Sequence, residues 1–238
     1  LGKGIPTGLL VGVYHLTYFP RPYRFHFNAH NIVVYGRENG HYHISDSVME
    51  GPEQLSHKEL ERVRYAYGLF APHGHMYHII NIPEALPLET AIARGIKKTA
   101  RDMTEIPIPL FGAKGIQYMA KQIKNYPKKL NPRKASMYLG QIVRSQEEIG
   151  TGGAGFRFIY AAFLQEASEI LNQKWLWEMS ERMTLCGDEW RRFAVMAARI
   201  VKERNSETES YEEASKILSN ISKLEKGIFT DLKKLKLK

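Results

Sequence analysis

The hydrophobic period of this chain changes once, near Pro83 to Pro87, and that change restricts it to an architecture in two parts. Upstream, short apolar and β-branched runs sit between turn signals, so that residues 8–14, 29–35, 41–44 and 76–82 read as strands. One helix, over 56–67, interrupts them, with Ser56 as its N-cap and Glu59 three residues on completing a capping box. Downstream, apolar residues recur with helical spacing in segments near 88–104, 113–126, 132–148, 154–171, 175–204 and 210–235, broken by Gly and Pro. All nine histidines fall between His15 and His78 and none follows, so composition changes with period. The expectation is an α+β protein: an antiparallel sheet domain over 1–84, then an α-helical bundle over 85–238.

At 238 residues and 43% hydrophobic, the chain has enough apolar surface for a sizeable core. No apolar run approaches the roughly 18–20 residues of a membrane span, so no membrane partner is expected. Cys186 is the single cysteine, which rules out an internal disulfide and suits a reducing, cytoplasmic compartment. The opening "LGKGIPTGLL" has no signal-peptide pattern and leads straight into a buried strand, so the chain is expected to begin in mid-domain. A net charge of +9 favours acidic partners of any kind without choosing among them.

The stretch "NAHNIVVYGRENGHYHISDS" puts a histidine at the mouth of an apolar strand and, after a turn, an aspartate. Loop length fixes which side chains share a face. A two-residue Asn39-Gly40 turn pairs Glu38 with His41 and sets Asp46 opposite Val33, on the other face from His30, a register that rules out a catalytic pair. A three-residue loop sets Asp46 opposite Ile32, and His30 and Asp46 become diagonal neighbours on one face. In the second register the carboxylate fixes the imidazole tautomer, as in the base and orienter of a nucleophile–base–acid arrangement. An ordinary structural hairpin accommodates either register.

Several motifs, in order, carry a family resemblance. "GIPTGLLVGVYHLTYF", "FHFNAHNIVVYG", "HYHISDS" and "YGLFAPHGHMYHI" resemble the N-terminal domain of the butirosin biosynthesis protein H family, a papain-like fold. "TARDM", "FGAKGIQYMAK" and "EEIGTGGAGFRFIYAAFLQEA" resemble the helical domain of unknown function that commonly follows it. The resemblance implies a partial papain-like sheet domain. It also implies transfer of an acyl group from an acyl carrier protein thioester, through a cysteine, to a small-molecule amine acceptor, with no cofactor. Position by position, His30 falls on the base and Asp46 on its orienting acid. The family's nucleophilic cysteine lies upstream of the strand at Gly8, so the resemblance places it outside these 238 residues, which alone are expected to be inactive. The rival expectation is a non-catalytic scaffold that holds an acidic partner, and hydrolysis on the same framework is a further alternative.

Tyr14, His15 and Tyr18 match an aromatic cluster of that family and either line a pocket or close one end of the core. Asn28 lies near the same strand end, as a site residue or a turn residue. "GTGGAGFR", with Gly152, Gly153 and Arg157, leads into a helix as an anion site would, or packs helices through small residues. "HYH" at 41–43 and "HGHMYH" at 73–78 raise zinc as an alternative to a metal-free chain, without a cysteine or carboxylate at ligand spacing. Cys186, between Leu185 and Trp190, reads as packing, as do Trp175, Trp177, Trp190 and Phe193, and nucleic acid is not expected.

Overall fold

In the computed structural model, which describes residues 2–84, 87–148 and 152–236, Asn39 and Gly40 both take positive φ, 49° and 80°. That backbone matches a two-residue hairpin turn of the right hand for a twisted ladder, and it joins β2 (His30–Glu38) to β3 (His41–Asp46). Glu38 pairs with His41 directly, so the three-residue loop required above is absent. The register it would have produced is nevertheless present. Between Val34 and Gly36 the pairing shifts by one residue, Gly36 facing His43 and Val34 facing Ile44, so that Asp46 comes to lie opposite Ile32. Tyr35 is the extra residue of this β-bulge, and its neighbour Gly36 leaves room for the ring of His43, which would lie 3.0 Å from a Cβ there.

The other strands are β1 (Thr7–Val11), β4 (Glu53–Ser56) and β5 (Met76–Tyr77), in the order β4-β3-β2-β1-β5, every described pairing antiparallel. Leu9, Val11, Ile32, Val34, Ile44 and Leu55 join one buried cluster with Val13, Leu16 and Phe19 of the following turns and with Leu60 and Val63 of α1 (His57–Arg64). The capping box forms as read: Ser56 Oγ accepts from Glu59 N–H at 3.3 Å, and the Glu59 carboxylate accepts from Ser56 N–H at 2.8 Å.

Several elements differ from the sequence reading, beginning with the strand read over 8–14, which ends at Val11 and gives way to the 3-10 turn Val13–His15. α1 stops at Arg64, short of Tyr67, where the Val63 and Arg64 carbonyls accept from Gly12 N–H at 2.8 Å and Gly74 N–H at 2.9 Å, partners outside the helix. β5 covers two residues of the 76–82 run, and Ile79, Ile80 and Ile82 beyond it are exposed. β4 went unread because "EQLS" offers only Leu55 as an apolar residue.

The chain divides into two compact units, 1–84 and 85–238. Among the described residues, six α-helices build the second: α2 (Leu88–Glu105), α3 (Gly112–Lys129), α4 (Pro132–Glu147), α5 (Arg157–Ile170), α6 (Trp175–Val201) and α7 (Tyr211–Leu232). Local chemistry sets the starts of two of them. Asn131 accepts from Lys134 N–H ahead of Pro132, and Ser210 caps α7 through Glu213 N–H. α6 is the central helix by composition, burying Leu176, Met179, Met183, Cys186, Trp190, Phe193 and Ala197 at helical spacing. Among the described residues, no helix is long and apolar enough to cross a membrane.

One charge interrupts this core. Glu225 stands on the apolar stripe of α7 and is wholly buried. Arg157 meets it with two parallel hydrogen bonds, Nε to Oε1 at 2.8 Å and Nη2 to Oε2 at 2.9 Å, and Trp190 Nε1 donates to Oε1 at 2.7 Å. The guanidinium also lies over the Trp190 ring, 5.1 Å from its centre.

Two outcomes follow for stability. Ser56→Ala removes the reciprocal cap of α1 and is expected to cost about 1 kcal/mol in urea denaturation. Arg157→Ala leaves Glu225 buried and uncompensated, an expected loss of about 3–5 kcal/mol. Glu225→Gln is expected to cost less, because the Arg157 side chain keeps 19% of its surface in water; equal losses in the two variants would contradict this account of the pair.

Candidate functional site

Three strand ends meet at one edge of the sheet: β1 ends at Val11, which pairs with His30 at the start of β2, and β3 ends at Asp46. Because the bulge sets Asp46 opposite Ile32, His30 and Asp46 are diagonal neighbours on the core-facing side. His30 Nε2 lies 2.8 Å from Asp46 Oδ2. The Asp46 side chain is fully buried and that of His30 is 13% exposed.

Two further donors reach the same carboxylate. Tyr18 donates its hydroxyl to Oδ2 at 2.8 Å, and Val48 N–H donates to Oδ1 at 3.0 Å. Burial alone would raise the Asp46 pKa, but the hydrogen bonds from His30, Val48 and Tyr18 outweigh it and hold the carboxyl below its ordinary range. Asp46 is therefore an anion that can only accept. Burial, and then contact with that anion, pushes the Tyr18 hydroxyl far up, so it stays a neutral donor. Since Nε2 faces the carboxylate, it carries the proton, and Nδ1 is the lone-pair nitrogen of the neutral ring. Among the described residues, Nδ1 has no hydrogen-bond partner.

The surroundings fix this geometry. Arg24 donates to the carbonyls of Phe19, at 2.7 Å, and Thr17, gripping the loop on both sides of Tyr18. The Phe19 ring meets the imidazole of His30 edge-on at 5.7 Å. Asn28, buried beside them, spends its amide N–H groups on the Leu69 and Tyr67 carbonyls at 3.0 and 3.3 Å. Gly12 allows the close approach this needs, since a Cβ there would lie 2.7 Å from Asn28 Oδ1 and 2.4 Å from Ala66 Cβ.

The remaining candidates divide. Tyr14 and His15 sit in the 3-10 turn Val13–His15, past the end of β1. Tyr14, half exposed, stacks on His26 at 4.1 Å and 10°, with His15 edge-on to it at 5.0 Å. Burial, with Arg62 and His26 adding positive charge nearby, lowers the His15 pKa. Tyr18 packs against the sheet core and also donates its hydroxyl to Asp46.

Gly152, Gly153 and Arg157 belong to the second unit, and Gly150 of the same stretch lies outside the described residues. The anions of this loop are the protein's own. Ala154 N–H donates to Glu147 at 3.2 Å, and Arg157 is committed to Glu225 and the Gly155 carbonyl. An external anion at this loop would compete with those carboxylates.

Cys186 is buried 3.8 Å from Glu225 Oε1. Burial foremost, and that carboxylate next, push its thiol up, the opposite of what a nucleophile requires. His41 Nδ1 lies against the Asn39 carbonyl at 3.2 Å and His43 faces Glu38 at 3.8 Å. Among the described residues, no group of three or more His, Cys, Asp or Glu converges as metal ligands would.

Sequence reasoning missed Tyr18 as a donor to Asp46, Arg24 as its support, and Glu225. Only Glu225 left a signal in the chain, a carboxylate at an apolar-stripe position of a helix.

Comparisons with known proteins match the chain in two segments, whose border does not coincide with that of the two compact units. None of the curated proteins matches it. Residues 1–47 match the family described as Butirosin biosynthesis protein H, N-terminal, a segment that runs from β1 through Asp46. Residues 58–232 match a second family over most of the chain's length, and the chain accordingly belongs to that family, the Domain of unknown function (DUF4872).

Proposed function

We propose that this chain carries the base and orienter of a cysteine-dependent acyltransferase, with His30 as base and Asp46 as orienter. The nucleophilic cysteine belongs to a part of the protein outside residues 1–238. The observation that supports the reading is the 2.8 Å contact between His30 Nε2 and a buried, triply hydrogen-bonded Asp46, which leaves Nδ1 unpartnered. Similarity of residues 1–47 to the butirosin biosynthesis protein H family adds a biosynthetic setting.

In this reading the sheet domain is papain-like. His30 Nδ1 takes the proton of a cysteine thiol, and the thiolate attacks the carbonyl of an acyl group carried as a thioester on an acyl carrier protein. The C–S bond to the carrier breaks, and His30 returns the proton to the departing carrier thiol. An amine acceptor then attacks the acyl-enzyme, His30 takes its proton, and the cysteine is released. Asp46 does not change protonation; it holds the ring in the Nε2–H tautomer and stabilises the imidazolium.

A second reading, a scaffold without chemistry, draws on one observation: the only thiol in residues 1–238 is that of Cys186, buried beside a carboxylate.

Iodoacetamide labelling of the full gene product, with each modified cysteine mapped by mass, separates the two. The acyltransferase reading expects a fast-labelling cysteine outside residues 1–238, and His30→Ala or Asp46→Asn should slow both its alkylation and turnover by about 10²–10⁴. If Cys186 is the sole reactive thiol and labels only on unfolding, the scaffold reading takes its place.

The depressed Asp46 pKa sets a pH dependence. A carboxyl whose folded pKa lies below its unfolded value stabilises the fold at every pH above about 3.9 and loses that contribution as pH falls toward the folded value. The melting temperature of the parent protein should therefore exceed that of Asp46→Asn at about pH 5, and the margin should shrink as pH falls below about 4.

A further inference from the structure

α3 and α7 run antiparallel, with Gln117 Nε2 donating to Ser219 Oγ at 3.3 Å and Lys124 Nζ bonded to Glu212 at 2.7 Å. Between them lies a groove of about 440 Å³, within the size range of small-molecule sites. Its charge is one-sided. Lys121 and Lys124 of α3 face Lys216 and Lys223 of α7, and Glu212 is the one acidic lining residue.

Two of those lysines are already spent, Lys124 on Glu212 and Lys216 on Glu213 at 2.6 Å. Among the described residues, Lys121 and Lys223 have no ion-pair partner. Like charges gathered in a concavity repel, and Glu212 and Glu213 offset only part of the charge of the four lysines.

The groove wall supplies a second, independent observation. Ser215 lines it and is only 6% exposed, yet its hydroxyl has no hydrogen-bond partner among the described residues. Its oxygen nevertheless keeps accessible surface, so on the groove wall it is a donor open to water or to a ligand. Asn220 adds an exposed amide to the same lining. Lysine ammonium groups beside neutral hydroxyl and amide donors match a phosphate group, which takes point charges and several hydrogen bonds on its oxygens together.

We propose that the α3–α7 groove binds a phosphate-bearing small ligand, with Lys121 and Lys223 supplying the charge and Ser215 a hydrogen bond. The site is independent of His30 and Asp46.

The test uses the full chain, inorganic pyrophosphate as probe, and constant ionic strength. A saturable rise of a few degrees in melting temperature is expected, larger than sulfate gives. Lys121→Gln with Lys223→Gln should weaken pyrophosphate binding about tenfold or more, while the ligand-free melting temperature stays level or rises as repulsion is removed. Ser215→Ala should weaken binding as well, without loss of fold. The proposal is overturned if pyrophosphate gives no saturable rise, if sulfate does as well, or if the lysine double variant binds like the parent. Binding of an acidic helical peptide without binding of pyrophosphate overturns it too, and assigns the groove to a protein partner.

Discussion

A carboxylate taken out of water must recover its lost hydrogen bonds from the protein, and Asp46 recovers three: from an imidazole, a phenol and a backbone N–H. Each ties a different stretch of chain to the same two oxygens. His30 brings the start of β2, Tyr18 the loop after β1, and Val48 the turn leaving β3. The sheet domain is closed at this edge by one anion. The residue that orients the imidazole is thus also the residue that fastens the loop, and neither role can be removed without disturbing the other.

That anion reaches its place through the bulge at Tyr35. A tight Asn39-Gly40 turn is the best short-range hairpin signal a sequence offers, but followed through a regular ladder it puts His30 and Asp46 on opposite faces. A one-residue shift between Val34 and Gly36 reverses the outcome. Which registers were compatible with a His–Asp pair could be worked out from alternation alone. That a bulge, and not a longer turn, delivers the compatible one could not, because a bulge depends on how Ile32, Val34 and Ile44 settle against α1 and Phe19.

Legibility in the helical half followed a similar line. The helix bodies were readable because Asn131-Pro132 and Ser210 mark starts and because apolar residues hold their 3.6 period over many turns. α3 runs on through Pro127 to Lys129, where the missing N–H affects only a terminal turn. The charge that meets the glycine-rich entry to α5 comes partly from far off in the chain. A glycine-rich entry to a helix attracts anions, and the anions turned out to be Glu147 and Glu225, the latter 68 residues from Arg157. Local sequence shows the demand for negative charge but not its source.

The two family matches meet inside a single sheet. β1, β2 and β3 lie in the segment ending at 47, α1 and β5 in the segment beginning at 58, and β4 falls in the gap between them. α1 supplies Leu60 and Val63 to the cluster beneath β1 and β2, and β5 pairs with β1. A border drawn by sequence similarity here runs through a hydrophobic core. The first stretch of the helical family is, physically, the lid of the other family's sheet, so a piece starting at residue 58 would carry a helix and a strand with nothing to fold against. In this chain both matched segments therefore contribute to one compact unit, which ends at residue 84.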